Sequence, residues 1–198
     1  MSDVERQEEA GLQVDDMAAS PPDKGRPHHR RVFVFVSPDY DHEPSLLAWE
    51  WAQANVIRDG DLVAVVTVVP RPPGSTVVPA VGMLGAASLA FELDALQEQR
   101  RIQLADARKT LARYAESVTP RGWRLETRAI EQADLSIPET IVAWSTKHHA
   151  DEGVVGTRNL SGFKRTLMAL VGKGSVSNQL AQHMPCPIVI VKPQPASV

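Results

Sequence analysis

VVGTRNLSGFKRTLMALVGKGSVS, from Val154 to Ser177, is the stretch on which the fold turns. A short apolar run ends at Gly156, and the chain becomes polar through Thr157, Arg158 and Asn159. A helix-like segment starts at Ser161, followed by Gly172, Lys173, Gly174 and Ser175. An apolar strand opening into small, donor-rich residues and then a helix is how α/β folds cradle phosphate. Backbone N–H groups in the turns and at the next helix start point at the anion. The same glycines also let a buried strand turn sharply into a helix with no ligand involved. Spacing alone leaves both readings open.

Downstream, Val176 to Met184 reads as a helix. Pro185-Cys186-Pro187 then introduces Ile188 to Val191, a strand whose leading proline sits where strands tolerate one. Upstream, Val32 to Val36 (VFVFV) and Leu62 to Val69 (LVAVVTVV) are continuous apolar runs, as expected of strands covered on both faces. Glu43 to Ile57 reads as a helix between them, completing a βαβ unit with a right-handed crossover. Leu93, Leu96, Leu104, Ala107, Leu111, Tyr114 and Val118 recur at helical spacing within Leu89 to Val118, interrupted by Arg100. Trp123 to Ile130 alternates, which predicts a half-exposed strand near an edge. Ser136-Ile137-Pro138-Glu139 has the residues of a helix start, serine as N-cap and glutamate at the third position. That helix is expected to reach about His149. Phe163 to Val171 reads as one helix or two linked turns.

Five strands alternating with about four helical regions call for a mostly parallel sheet with helices on both faces. Ligands in such sheets bind beyond the carboxyl ends of the strands, where strand order reverses. Ser37 and Gly156 end the first and fourth strands, so neighbouring positions in the sheet would put both turns on one crevice.

Composition excludes several classes. The 198 residues hold 21 Lys plus Arg against 24 Asp plus Glu, a balance that favours neither nucleic acid nor an anionic membrane surface. No apolar run approaches the ~18 residues of a membrane span, and the acidic N-terminus lacks a secretory pattern. The expected location is cytoplasmic. Residues 1–29, acidic and proline-containing, are expected to be a disordered tail. Residues 30–198 form the expected α/β domain, with a Pro/Gly-rich insert at about 70–88. The His28–His29 and His148–His149 pairs have no partners at metal-ligand spacing, and no metal site is expected. Cys186, the one cysteine, cannot make an internal disulfide. No base accompanies it, so it reads as a small buried or semi-buried side chain rather than a nucleophile.

VVGTR (Val154–Arg158), SGFKR (Ser161–Arg165), GSVS (Gly174–Ser177) and HMPCPIVIVK (His183–Lys192) together resemble the universal stress protein (UspA-like) family. LLAWEWA (Leu46–Ala52) and DGDLVAVVTVV (Asp59–Val69) resemble its first helix and second strand. The resemblance implies a flavodoxin-like, adenine-nucleotide-hydrolase-like three-layer sandwich. Its five-stranded parallel sheet would have the order 3-2-1-4-5. It also implies a homodimer formed through the last strand, Ile188–Val191, and ATP, with Mg2+, as the ligand of a stress-response module. The nucleotide residues it implies are Ser37, Val68, Gly156, Thr157, Arg158, Asn159, Gly174, Ser175, Val176 and Ser177. Val68 would contribute only its backbone.

The chain departs from that pattern at three places. ATP-binding members have an aspartate where Ser37 ends the first strand, and a second glycine where Asn159 stands. Between Asn159 and Gly174 lie the fourteen residues Leu160 to Lys173, where nine are expected. Asparagine adopts the left-handed backbone more easily than most residues, and an extra turn around Ala169 to Lys173 would absorb the length. No nucleophile stands with a base and no carboxylate pair suits a metal, so binding ranks above slow phosphoryl transfer. The alternative is a homodimeric interaction or structural protein that keeps the fold with a degenerate ATP site.

Overall fold

Val32, Val34 and Val36 point to one side of the first strand while Phe33 and Phe35 point to the other, and all five are buried. Only a strand sandwiched between two helical layers buries both faces. The computed structural model describes residues 29–71, 86–118, 122–132, 134–157 and 176–193, and the side chains of its longest helix from 94 onward. The expected tail and the helix over Phe163–Val171 lie outside the described residues. The elements are β1 (Arg31–Val36), α1 (Glu43–Asn55), β2 (Leu62–Val69), α2 (Ala86–Glu116) and β3 (Arg124–Glu131). They continue with α3 (Ile137–Lys147), β4 (Glu152–Gly156), α4 (Val176–His183) and β5 (Ile188–Val191).

The strands pair in the order β3-β2-β1-β4-β5, all parallel, the flavodoxin-like arrangement expected from the sequence. Because crossovers are right-handed, a chain that moves outward and then returns past its start must put its helices on opposite faces. α1 and α2 cover Val32, Val34, Val36, Val63 and Val65 through Trp49, Leu111 and Tyr114. α3 and α4 cover Phe33, Phe35, Ala64, Val66 and Val68 through Ile141 and Leu180. β3 is an edge strand, as its alternation predicts.

Local signals hold where they are strongest. Ser136 caps α3 with a complete capping box: Glu139 N–H donates to its hydroxyl at 3.4 Å, and its own N–H donates to Glu139 Oε2 at 2.8 Å. The Ser136 hydroxyl, which donates to Glu139 Oε2 at 2.6 Å, and then the Ser136 N–H hold the Glu139 carboxyl below its usual range. α2 begins at Ala86 rather than Leu89, so the last three residues of the expected 70–88 insert are helical. Ala86-Ala87-Ser88 carries no breaker, and alanine has the highest helix propensity.

At 31 residues, α2 is ~46 Å long, against ~27 Å for the eight-residue β3. Arg100 forms an ion pair with Glu131, the last residue of β3, and fixes the level of the helix. The turns before Arg100 therefore rise beyond the carboxyl edge of the sheet. Ala107, Leu111 and Tyr114 are buried against the sheet, whereas Ile102 is 49% exposed.

The opposite edge is closed by Arg30. Its guanidinium donates to Asp61 at 2.7 and 3.2 Å, to Glu152 at 3.0 Å and to the Val56 carbonyl. One side chain thereby joins the ends of α1 and the starts of β2 and β4.

Candidate functional site

The strand order reverses at β1, which lies between β2 and β4. Val36 pairs with Thr67, so Ser37 follows β1 beside Val68. Phe35 pairs with Val155 and Gly156 with Val191, so Gly156 and Thr157 emerge at the same carboxyl edge. Thr157 N–H donates to the Val191 carbonyl at 2.9 Å. α4 begins here too. Ser177, 4% exposed in its first turn, donates its hydroxyl to Thr157 Oγ1 at 3.0 Å. Of the ten residues singled out from the sequence, Ser37, Val68, Gly156, Thr157, Val176 and Ser177 stand at this edge. Arg158, Asn159, Gly174 and Ser175 lie outside the described residues.

The turn after β1 is satisfied largely by itself. Ser37 Oγ accepts from Asp39 N–H at 3.2 Å, and Asp39 Oδ1 accepts from Asp41 N–H at 3.1 Å. Asp39 is thus held in its own turn rather than reaching back toward the strand end. The Ser37 N–H donates to Ser45 Oγ at 2.9 Å, and His42 Nδ1 lies 2.8 Å from the same oxygen. The turn is also pinned to α2. Thr110 donates to the Pro38 carbonyl at 2.9 Å, Tyr40 packs on Tyr114 with centroids 4.9 Å apart, and Arg113 lies 3.8 Å over the Tyr40 ring.

Gly156 has a packing role. A Cβ there would collide with the Pro44 carbonyl and lie 3.0 Å from Pro44 Cβ. The glycine lets the first turn of α1 approach the end of β4, a reason independent of any anion. Val68 buries its side chain in the α3/α4 layer, which leaves its main chain for contact. One residue earlier, the fully buried Thr67 hydroxyl has no hydrogen-bond partner among the described residues.

Sequence reading missed Ser45, His42, Thr110 and Tyr114, which shape the Ser37 turn from two helices. It also missed Arg71, two residues past β2, which donates to Asp134 at 2.7 Å and puts a cation at the same edge. No spacing rule joins residues so far apart. Burial pushes the Tyr114 hydroxyl up to about 12, with Tyr40 adding to the rise and Ser45 opposing it. Cys186, half-buried, also has its thiol pushed up by burial, away from the thiolate a nucleophile needs. His148 packs against Trp144, with ring centroids 4.4 Å apart. Among the described residues no three His, Cys, Asp or Glu cluster as metal ligands, and no helix is long and apolar enough to cross a membrane.

Residues 29–192 match the Universal stress protein family. In structure the chain is similar to the hypothetical protein MJ0577, at 13% identity and a TM-score of 0.55, over 85% of this chain and 99% of that one. It is similar to the hypothetical protein PH0823 at 16% identity and a TM-score of 0.51, over 82% and 96%. A universal stress protein from Archaeoglobus fulgidus, solved in complex with dAMP, aligns at 16% identity over 83% and 98%, with a TM-score of 0.42. No curated protein matches the sequence. With the family match covering both the parallel sheet and the edge where Ser37, Thr157 and Ser177 meet, the chain belongs to the universal stress protein family.

Proposed function

We propose that the chain binds an adenine nucleotide, with Mg-ATP the leading candidate, as a regulatory or stress-response module. The observation that carries this reading is the hydroxyl pair of half-buried Thr157 and buried Ser177, set where strand order reverses and α4 begins. A helix's first N–H groups lack intrahelical acceptors and attract anions. Two hydroxyls beside that turn add donors suited to phosphate. Gly156, Asn159, Gly174, Ser175 and Val176 would add backbone donors, and Arg158 a cation. The Ser37 turn and the Val68 main chain would flank the base. The chemistry supported is binding, and residues 30–198 are the proposed binding domain.

A second reading has its own observation. Ser37 spends its hydroxyl and N–H within the β1–α1 turn, and Gly156 is explained by Pro44. Both fit an interaction protein that keeps the fold without the ligand. In either case a homodimer would form through β5, an edge strand whose Ile188, Val189 and Ile190 are only half-buried.

Calorimetric titration with Mg-ATP separates the readings. Heat saturating at micromolar to millimolar ligand, with a rise in melting temperature, supports binding; neither change at millimolar ligand overturns it. Light scattering at micromolar chain should give the mass of a dimer. A monomer mass removes the β5 proposal.

A further inference from the structure

β3 closes one side of the sheet, and among the described residues no strand pairs with its outer edge. Its backbone is only half used by β2. Arg124 N–H donates to the Asp61 carbonyl at 2.9 Å, and Gln132 N–H donates to the Val69 carbonyl at 3.0 Å. Every second residue of a parallel strand bonds the same neighbour, so residues 124, 126, 128 and 130 are the ones turned toward β2. Leu125, Thr127 and Ala129 therefore turn their N–H and C=O groups outward. Such a row is a template for another strand.

The side chains decide which strand it fits. Arg124, Glu126 and Arg128 share one face of β3, and Glu126 pairs with Arg128 at 3.0 Å. A second β3, laid antiparallel about a twofold axis, must set outward-turned residues opposite one another. Only two such registers use all but one residue of the strand. An axis through Arg128 sets arginine opposite arginine, and like charges in that position repel. An axis through Thr127 sets Thr127 opposite itself, Leu125 opposite Ala129, and Glu126 opposite Arg128 twice over.

We propose that the chain associates with a second copy of itself through β3, antiparallel about Thr127, joining two five-stranded sheets into one. Each strand keeps its own Glu126–Arg128 pair, and the two pairs merge into a cluster of alternating charge across the joint. Charged side chains on an edge strand ordinarily keep copies apart. Alternating signs reverse that effect for a partner carrying the same row in the opposite direction. β3 and β5 are opposite edges of the sheet, so this contact is separate from pairing through β5 and adds to it. One short strand makes a small contact, and small contacts are weak and transient. The association therefore grows with chain concentration.

The test uses the full chain. In sedimentation its mass should rise at least twofold between micromolar and submillimolar chain. E126K and R128E each give the row a single sign and should each lose that rise. An equimolar mixture of the two should regain it, because each chain then offers the charge the other lacks. A disulfide locates the axis. In a C186S background, T127C should link to its own copy, since a directly opposite pair has Cα atoms ~5.5 Å apart, within disulfide reach. R124C is the more exposed position but lies opposite Ile130, and should not link. A mass independent of concentration would overturn the proposal, as would R124C linking as fast as T127C. A rise that survives both charge changes overturns it too, placing the contact elsewhere.

Discussion

Ser177 donates its hydroxyl proton to Thr157 across 3.0 Å, tying the first turn of α4 to the residue that leaves β4. Thr157→Val keeps the shape and removes the acceptor of the Ser177 hydroxyl. Stability should fall by about 0.5–1.5 kcal/mol, the net worth of one hydrogen bond, read as a lower urea midpoint. If the pair faces phosphate, Mg-ATP affinity should also fall, by about tenfold for a lost contact of about 1.4 kcal/mol. Lower stability with unchanged affinity would make the pair structural only.

Gly156→Ala should destabilise by a different route. The new methyl is driven onto the Pro44 carbonyl, and relief requires α1 to shift from β4. Overpacking of this kind costs about 1–3 kcal/mol. Gly60→Ala is the comparison: it has open space around it but a φ of +87°. Its cost is backbone strain alone, about 1 kcal/mol. A Gly156→Ala protein as stable as the parent would show that the contact yields freely.

Arg30→Ala leaves Asp61, whose side chain is only 7% exposed, beside an empty place. Removing one partner of a buried pair costs about 3–5 kcal/mol. Because Arg30 is itself 27% exposed, about 2–3 kcal/mol is expected after screening. Its hydrogen bond to Asp61, then the nearby carboxylates, raise the arginine's pKa above its ordinary value. A raised folded pKa gives stability that is lost only as pH climbs through it, so this clamp should hold across the neutral range. A melting temperature that fell between pH 6 and 9 through loss of this contact would contradict that.

Tyr114 provides the alkaline limit. Its hydroxyl is pushed up to about 12, chiefly by burial, against an ordinary value near 10. The neutral form is therefore favoured by folding, and that stability is complete below pH 10 and is lost as pH rises toward 12. Two pK units correspond to a loss on the order of 2–3 kcal/mol. Absorbance at 295 nm should therefore show a late step from Tyr114 that coincides with unfolding. Tyr114→Phe should remove the later step.

The sequence made the scaffold readable because its signals are local. VFVFV and LVAVVTVV can be satisfied only by strands with both faces covered, and Ser136 with Glu139 completes its cap within four residues. Ser37 and Gly156 could be placed at one edge once the strand order implied by the family resemblance was granted, and Val68 came from that resemblance. What Gly156 touches could not be read, since Pro44 lies far away along the chain and the collision depends on how closely α1 approaches β4. The Ser37 turn shows the same limit. Its bond to Asp39 is local, but its fixing by Ser45, Thr110 and Tyr114 depends on two helices coming together. Arg30 gave no signal, because an arginine before a strand looks the same whether it closes a charge cluster or faces water.

The neighbour relation of β1 and β4 also bears on synthesis. Val34 pairs with Val154, so as the chain leaves the ribosome β1 can gain β2 and β3 early but must wait for residues beyond 150 before its other edge is covered. During that interval Val32 to Val36 form an unpaired apolar edge, the kind of surface on which nascent chains associate with one another. Loop closure over so long a separation is also slow. The strand at the centre of the finished sheet is thus an exposed edge for much of translation, and chaperone demand should be greatest before β4 emerges.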